Sequence, residues 1–182
     1  MIPAPDFIEL ASGRSMRPLD PHVGDILMMD IARGLSHQCR FLGQTSVHYS
    51  VAEHSVRVSE LLQGWGCSRM IQLWGLLHDA SEAYLGDVPS PLKHTAVFAP
   101  YREAEDRLIK VICHRFGLPL AEPERVRHAD AVLLATEARD LMPFRPEHWG
   151  ALKESPMSEK IVPWDCATAE LNFVTRYARL AA

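Results

Sequence analysis

Apolar residues recur at helical spacing through most of this chain, and the pattern predicts a succession of α-helices. In one of them Val51, Val58 and Leu62 share a face, because residues four and seven positions apart lie on the same side of a helix. Strand-like alternation of apolar and polar residues is nowhere convincing. We therefore expect an all-α protein built as a helical bundle. The predicted helices cover residues 25–36, 51–62, 70–83, 101–116, 124–141 and 166–180.

The segment over residues 70–83 differs from the other predicted helices because it is apolar nearly all round. Its large apolar residues include Trp74, Leu76 and Leu77, which do not share one face. A helix that is apolar on every side is normally buried among other elements. We expect this segment to be the central helix of the bundle.

Proline and glycine mark the predicted breaks. Residues 86–91 are expected to form a loop, because Pro89 and Pro91 oppose helix continuation. The helix over residues 101–116 stops before Gly117, which is typical of a helix end. Residues 40–48 also look like a loop.

The carboxyl-terminal part of the chain is predicted to be irregular and then helical. Residues 143–163 contain Pro143, Pro146, Pro156 and Pro163, so we expect a long irregular loop there. Such a loop can be a lid or a partner contact, and the sequence leaves the two open. Residues 164–182 contain the closing helix.

Composition indicates one globular domain over residues 1–182. The chain is 47% hydrophobic and 23% charged, which is ordinary for a globular protein. Its net charge of −4 argues against a nucleic-acid-binding protein. No apolar run has the length of a membrane span, and no signal pattern opens the chain. The four cysteines are widely separated, so we expect reduced thiols in a cytoplasmic protein.

Side chains that can ligate a metal occur on three predicted inner faces. His54 lies among apolar residues of one helix, His78 and Asp79 stand together near the end of the central segment, and Asp130 precedes Leu133 at helical spacing. Separately, His54 could be a hydrogen-bonded core histidine and Asp130 could form a buried ion pair with an arginine. One metal ion held by His54, His78, Asp79 and Asp130 explains all of them together, since unpaired buried charges are costly.

Two imidazoles and two carboxylates form a mixed nitrogen and oxygen ligand set. Such a set suits one divalent transition metal, Mn²⁺, Co²⁺, Fe²⁺, Ni²⁺ or Zn²⁺, and does not choose among them. Because His78 and Asp79 are adjacent, both can face one ion only where the helix ends or kinks. We expect an irregularity at that point.

Several motifs resemble those of the HD-domain metal-dependent phosphohydrolases. Residues 51–55 (VAEHS) and 78–93 (HDASEAYLGDVPSPLK) are similar to the 5′-deoxynucleotidase branch, and residues 127–131 (RHADA) resemble its last metal motif. The resemblance covers about residues 40–140. Residues 12–20 and 25–44 look more like the short HD hydrolases of phages and bacteria, some of which are deoxynucleoside triphosphate triphosphohydrolases.

The resemblance implies an HD-type helical bundle with its metal site between the central helices, and it suggests roles for two carboxylates. By this comparison Glu82 is the general acid or base, and Asp87 positions water or assists. Without the neighbouring metal motif, Glu82 would be interpreted as a surface salt-bridge or capping residue and Asp87 as a loop cap.

The resemblance also implies a substrate-binding set. Arg40 corresponds to a phosphate clamp, because a guanidinium offers a rigid fork for phosphate oxygens. Phe41 stands where the branch has a tryptophan, so apolar contact with base or sugar is kept and the indole N–H is lost. Lys93 would meet further phosphates, although it could equally be a solvated loop end.

The implied reaction is attack of water on the α-phosphorus of a deoxynucleotide, with release of the nucleoside. The central motif favours a 5′-deoxynucleotidase, whereas the short chain and its amino-terminal segment favour a triphosphohydrolase. A triphosphate needs more cations, so a cavity lined by Lys93, His94 and Arg102 would favour the latter. A non-catalytic nucleotide sensor that keeps the metal is an alternative of another class. We expect a small-molecule nucleotide as partner, and no nucleic acid or membrane; a homo-oligomer is left open.

Overall fold

The computed structural model describes residues 6–143, 152 and 154–182 of the chain. Within these residues the prediction of an all-α fold is confirmed. Short 3₁₀ turns cover Val23–Asp25, Arg40–Gly43 and Ala96–Phe98. The helices are α1 (Met28–His37), α2 (Val51–Gly64), α3 (Arg69–Leu77), α4 (Glu82–Leu85), α5 (Ser90–Lys93), α6 (Ala99–Phe116), α7 (Glu124–Leu141) and α8 (Cys166–Ala181).

The central apolar segment is not one helix. α3 ends at Leu77, residues 78–81 form turns, and α4 begins at Glu82. The predicted helix over residues 70–83 is therefore wrong in its last part, whereas the irregularity expected at His78 and Asp79 is confirmed. The break allows neighbouring side chains to face a common point, which a continuous helix would not.

Smaller differences concern the ends of elements. α1 begins later than predicted, because Leu27 before it is extended. The predicted loop over residues 86–91 overlaps the start of α5, where Pro91 occupies the first turn and its missing N–H costs no helical hydrogen bond. Residues 154–163 have neither helix nor strand, as predicted. The rest of the predicted irregular loop includes residues 144–151 and 153, which lie outside the described residues.

A small hairpin near the amino terminus was not predicted. Strands β1 (Ile8–Glu9) and β2 (Ser15–Met16) pair antiparallel, with Ile8 opposite Met16. Strands of two residues are too short to show alternation in a sequence. The hairpin is attached to α1, because Asp30 accepts hydrogen bonds from the backbone N–H and the hydroxyl of Ser12, both at 2.9 Å.

Local capping explains where the main helices begin and end. Ser50 caps α2 by accepting a hydrogen bond from the backbone N–H of Glu53 at 3.1 Å. Asp165 caps α8 in the same way through Thr168, at 2.7 Å. α6 ends as predicted at Gly117, whose φ of 68° is left-handed and favours glycine.

Helix α2 lies at the centre of the bundle and packs against α1, α3, α7 and α8. Its Val51, Ala52, Val58 and Leu62 are buried in the shared core. This packing brings the inward face of α2 beside α7 and beside the end of α3. No helix among the described residues is long and apolar enough to cross a membrane.

Two glycines permit close helix contacts. A β-carbon at Gly75 would lie 2.4 Å from Cδ1 of Leu62, so α3 packs tightly on α2. A β-carbon at Gly34 would lie 2.9 Å from the carbonyl oxygen of Ala83, so α1 packs directly on α4. The second contact holds α4 next to the break that follows α3.

Candidate metal site and adjoining cavity

The structure brings together the four predicted metal ligands from three parts of the fold. His54 comes from the middle of α2, His78 and Asp79 from the turn after α3, and Asp130 from α7. The Nε2 atom of His54 lies 3.3 Å from Nε2 of His78 and 3.2 Å from an oxygen of Asp130. An oxygen of Asp79 lies 3.2 Å from Nε2 of His78 and 3.7 Å from Nε2 of His54.

These distances fit one cation. A metal with bonds of about 2.0–2.2 Å keeps neighbouring ligand atoms roughly 3 Å apart. The ligand atoms of His54, His78 and Asp79 all lie within 4.8 Å of one another, so this His-His-Asp cluster could hold a metal ion. Asp130 reaches the cluster through His54, and its role as a fourth ligand stays a prediction.

The tautomers of both histidines also fit metal binding. Nδ1 of His78 donates a hydrogen bond to the carbonyl oxygen of Gly75 at 2.8 Å, because a carbonyl can only accept. Nδ1 of His54 donates to a carboxylate oxygen of Glu137 at 2.6 Å. Each ring therefore presents Nε2 to the centre of the cluster, where it can bind a metal once its proton is displaced.

The charges of the cluster stabilise one another. Burial disfavours the charged form of each group, but the carboxylates of Asp79 and Asp130 outweigh it and raise the pKa of His78 to about 10. Burial likewise opposes ionisation of Asp79, yet His78, His54 and Arg40 hold its pKa well below the ordinary range. A cation must displace protons from the imidazoles, so its binding should weaken as the pH falls.

Glu137 belongs to the site and was missed by sequence reasoning. Its side chain is fully buried, and its second oxygen accepts a hydrogen bond from Nε of Arg40 at 3.2 Å and forms an ion pair with Nη2 at 3.1 Å. Burial raises the pKa of this carboxyl, but Arg40 and His54 lower it by more, so it is ionised. A signal existed: Glu137 follows Asp130 by seven residues, which places both on one face of α7.

A cavity of about 620 Å³ opens beside the cluster. It is large enough for a nucleoside-sized ligand. Within the described part of the chain, its cationic side chains are Arg40 and Lys93. Its acidic lining comes from Asp79, Glu82, Asp87 and Asp130, and much of its apolar lining comes from Phe41, Val88, Pro89, Leu134 and Met142.

Arg40 and Phe41 line the cavity beside the candidate ligand cluster. Nη1 of Arg40 lies 3.5 Å from an oxygen of Asp79, and its guanidinium carbon lies 5.4 Å from the centre of the Phe41 ring. Phe41 and Leu42 both have a φ of 54°, a left-handed conformation that is strained for residues with a β-carbon. This strained turn sets the direction of the Phe41 side chain. Contact of Phe41 with a base or sugar stays a prediction.

The two predicted catalytic carboxylates line the cavity in different environments. Glu82 is 5% exposed, and burial, reinforced by Asp79 and Asp87, raises its pKa well above the ordinary value. Its Oε2 has no hydrogen-bond partner among the described residues. Burial also raises the pKa of Asp87, with Arg40 opposing the shift. A carboxyl that stays protonated near neutral pH can donate a proton.

Gln38 is a second residue that sequence reasoning did not single out. Its amide nitrogen donates to the carbonyl oxygen of Glu82 at 2.8 Å, and its amide oxygen accepts from the backbone N–H of Asp87 at 3.0 Å. One side chain therefore holds both ends of the segment that carries the two carboxylates. No sequence pattern marks Gln38, because it simply follows the end of α1.

Lys93 points toward the cavity but is already paired. Its Nζ lies 2.8 Å from an oxygen of Glu105 and 3.5 Å from an oxygen of Glu82. His94 and Arg102, the other cations considered for a triphosphate, are bonded to backbone carbonyls of Ser90 and Thr95, both at 2.8 Å, and do not line the cavity. The cationic lining that would favour a triphosphate is therefore not found among the described residues.

Comparison with known proteins shows two relatives that each cover most of the chain. No family model matches the sequence. Uncharacterized protein RCAP_rcc00048 of Rhodobacter capsulatus is 41% identical over 143 residues, which cover 74% of this chain and 72% of that protein. Uncharacterized protein YfdR of Escherichia coli K12 is 35% identical over 177 residues, 96% of each chain. This protein therefore belongs to the same family as YfdR.

Proposed function

We propose that this protein is an HD-type metal-dependent phosphohydrolase that removes the 5′-phosphate from a deoxynucleotide. The observation that carries the proposal is the convergence of His54, His78 and Asp79 beside a cavity that also contains Arg40. Metal ligands and a phosphate-binding guanidinium in one cavity are the parts that phosphate ester hydrolysis needs. We place the activity in the cytoplasm, where thiols stay reduced.

The proposed ligand set is His54, His78, Asp79 and Asp130. Once bound, a Mn²⁺, Co²⁺, Fe²⁺, Ni²⁺ or Zn²⁺ ion supplies charge stabilisation for the phosphoryl group and lowers the pKa of water. The residues around the ion would orient the phosphate and the attacking water. The distances of 3.2 and 3.3 Å between neighbouring ligand atoms support a single-ion site.

Arg40 is the proposed phosphate clamp. Its Nε and Nη2 are engaged by Glu137, which leaves Nη1 on the side of Asp79 and the cavity. A phosphate oxygen in the cavity can accept from this fixed N–H group without reorganising the side chain. Lys93 is the second cation at the cavity, at the end nearer Glu82.

Glu82 is the proposed general acid and Asp87 the proposed water-positioning group. In its protonated form Glu82 can donate to the 5′-oxygen of the departing nucleoside as the P–O bond breaks. Asp87 can accept a hydrogen bond from the attacking water. Gln38 holds the backbone between these two carboxylates, which supports a fixed separation during the reaction.

The charge of the cavity favours a monophosphate over a triphosphate. A phosphomonoester carries about −1.5 to −2 charges at neutral pH, and a triphosphate carries more. Arg40 and Lys93 are the cations of the described lining, and each is already paired with carboxylates. A triphosphate would place further negative charge near Asp79, Glu82, Asp87 and Asp130 with little to offset it. A 5′-deoxynucleotidase therefore fits better than a triphosphohydrolase.

The test is a product analysis with metal-stripped protein resupplied with Mn²⁺, Co²⁺ or Zn²⁺. All deoxynucleoside mono- and triphosphates are offered, and products are separated by chromatography. Release of nucleoside and phosphate from monophosphates is the expected result. Release of nucleoside and triphosphate would make the protein a triphosphohydrolase instead. Tight nucleotide binding without turnover under any metal would favour a non-catalytic sensor.

A further inference from the structure

The buried Glu137 carboxylate contacts both a proposed metal ligand, His54, and the proposed phosphate clamp, Arg40. One oxygen lies 2.6 Å from Nδ1 of the metal ligand His54, and the other lies 3.1 Å from Nη2 of Arg40. All three side chains are closely packed, with Glu137 and His54 fully buried and Arg40 only 13% exposed. Each oxygen of this carboxylate therefore contacts a different residue of the proposed site.

The contact with His54 determines which nitrogen faces the metal position. A carboxylate that accepts from Nδ1–H keeps a proton on that nitrogen, so in the neutral ring it is Nε2 that carries the lone pair. It also stops the ring from rotating about its side-chain bonds. Without an acceptor at this place, the other tautomer would put a proton where a ligand is needed.

The contact with Arg40 keeps this cation away from the metal ligands. Nη1 of Arg40 already lies 3.5 Å from an oxygen of Asp79. Without the negative charge of Glu137, the guanidinium would be left with Asp79 as its nearest anion. It would then pair with that carboxylate and compete with a metal for it.

We infer that Glu137 is a positioning residue that orients the metal ligand His54 and the phosphate clamp Arg40 together, so that metal affinity and phosphate affinity depend on one buried carboxylate. This inference rests on the proposed function, because it takes His54 as a metal ligand and Arg40 as a phosphate-binding residue. Glu137 itself touches neither the metal position nor, by this geometry, the phosphate.

The test compares Glu137→Gln with a matched control, Glu53→Gln, in the full chain. Glu53 is also fully buried and also binds an arginine, with Nη2 of Arg57 at 2.7 Å, and it further accepts from the backbone N–H of Trp164 at 2.8 Å. It makes no contact with Arg40 or with His54 side-chain nitrogens. Both variants lose one buried negative charge, so both are expected to lose stability.

The first measurement is the affinity for Co²⁺, determined by calorimetry and from the visible absorption of the bound ion. Glu137→Gln should weaken Co²⁺ binding about tenfold to a hundredfold and change the absorption spectrum. Glu53→Gln should leave the Co²⁺ affinity within about twofold of the wild type. Binding of inorganic phosphate to the Co²⁺-loaded protein is the second measurement, and it should weaken in Glu137→Gln alone.

A double variant separates the two contacts. Adding Arg40→Met to Glu137→Gln removes the cation that competes for Asp79, so Co²⁺ should bind more tightly to the double variant than to Glu137→Gln. If Glu137→Gln fails to fold, Glu137→Asp gives the same comparison, since the charge stays but the shorter side chain cannot reach both partners.

Equal Co²⁺ and phosphate affinities in Glu137→Gln and the wild type would overturn the inference, as would an equal loss in Glu53→Gln. These outcomes leave the proposed function standing if the wild type binds metal and hydrolyses nucleotide. A wild type that binds no divalent metal would overturn the proposed function and the inference with it.

Discussion

Lys93 and Glu82 form a close pair at the edge of the cavity, with Nζ of Lys93 3.5 Å from one oxygen of Glu82. The other oxygen of Glu82 is buried and has no hydrogen-bond partner among the described residues. Lys93 is itself closer to Glu105, at 2.8 Å, so its charge is shared. Glu82 is thus incompletely paired, which suits a group that must exchange a proton.

Replacing Glu82 should stop proton transfer without disturbing the metal ligands. Glu82→Gln keeps the shape of the side chain and removes the acid. We expect turnover to fall about a hundredfold or more, with Co²⁺ affinity unchanged. Steady-state kinetics and calorimetry measure the two quantities. Unchanged turnover would show that Glu82 is not the general acid.

The raised pKa of Glu82 predicts a pH-dependent stability difference in metal-free protein. Burial, with Asp79 and Asp87, raises this pKa well above 4.5, so the folded protein holds the proton more tightly than the unfolded chain does. The stability from this proton is fully present below the unfolded pKa and is lost as the pH rises through the folded pKa. Glu82→Gln mimics the protonated form, so it should gain stability relative to the wild type as the pH rises.

Thermal unfolding of the two metal-free proteins across acid to neutral pH measures this difference. The melting temperatures should be nearly equal at the acid end and should separate as the pH increases, with the variant melting higher. Parallel curves would mean that Glu82 titrates normally.

Removing Asp79 should remove metal and activity together. Asp79 has an oxygen 3.2 Å from Nε2 of His78, and it belongs to the cluster with His54 and His78 that could hold a metal ion. Asp79→Ala should therefore lose bound metal after dialysis, and nucleotide turnover with it, when metal content is measured by elemental analysis. Full metal occupancy in this variant would contradict the assigned ligand set.

Gln38 should affect turnover but not metal binding. Gln38→Met keeps the length of the side chain but loses both hydrogen bonds, to the carbonyl of Glu82 and from the N–H of Asp87. Small displacements of reacting groups are costly, so kcat should fall about tenfold to a hundredfold. Co²⁺ affinity should not change, because the ligands come from other segments.

Gln63→Met is the matched control for this variant. Gln63 bonds to Arg176 on the opposite side of α2 from the cavity, so its loss should leave turnover unchanged. Equal effects of the two substitutions on kcat would show that Gln38 has only a general structural role.

Gly34→Ala should destabilise the protein because α1 approaches α4 closely. The added β-carbon would lie 2.9 Å from the carbonyl oxygen of Ala83, and backbone cannot move aside cheaply. Overpacking of this kind costs about 1–3 kcal/mol, partly offset by the roughly 0.5–1 kcal/mol that alanine gains over glycine in a helix. Chemical denaturation measures the change in the free energy of unfolding.

Gly64→Ala is the control, since nothing lies within 4 Å of a β-carbon added at Gly64, and it should be neutral or slightly stabilising.

Sequence reasoning predicted the helices and the metal-ligand candidates because both depend on local periodicity. Hydrogen bonds within a helix join residues four positions apart, so the apolar spacing around Val51 and Val58 specifies both a helix and its inward face. A polar residue on that face, such as His54, is then visible in the sequence as an exception. The break at His78 follows from the same reasoning, because adjacent ligands need one.

Only the tertiary structure decided how those residues are supported. Glu137 meets His54 across 83 positions of sequence and Arg40 across 97, and Gln38 meets Glu82 across 44. These contacts depend on how α2, α7 and the end of α1 pack, and side-chain packing has no local period. The sequence by itself therefore determined which helices form and which polar side chains face inward. The packing of those helices decided which group accepts the Nδ1–H of His54, because hydrogen-bond partners are chosen by proximity in space.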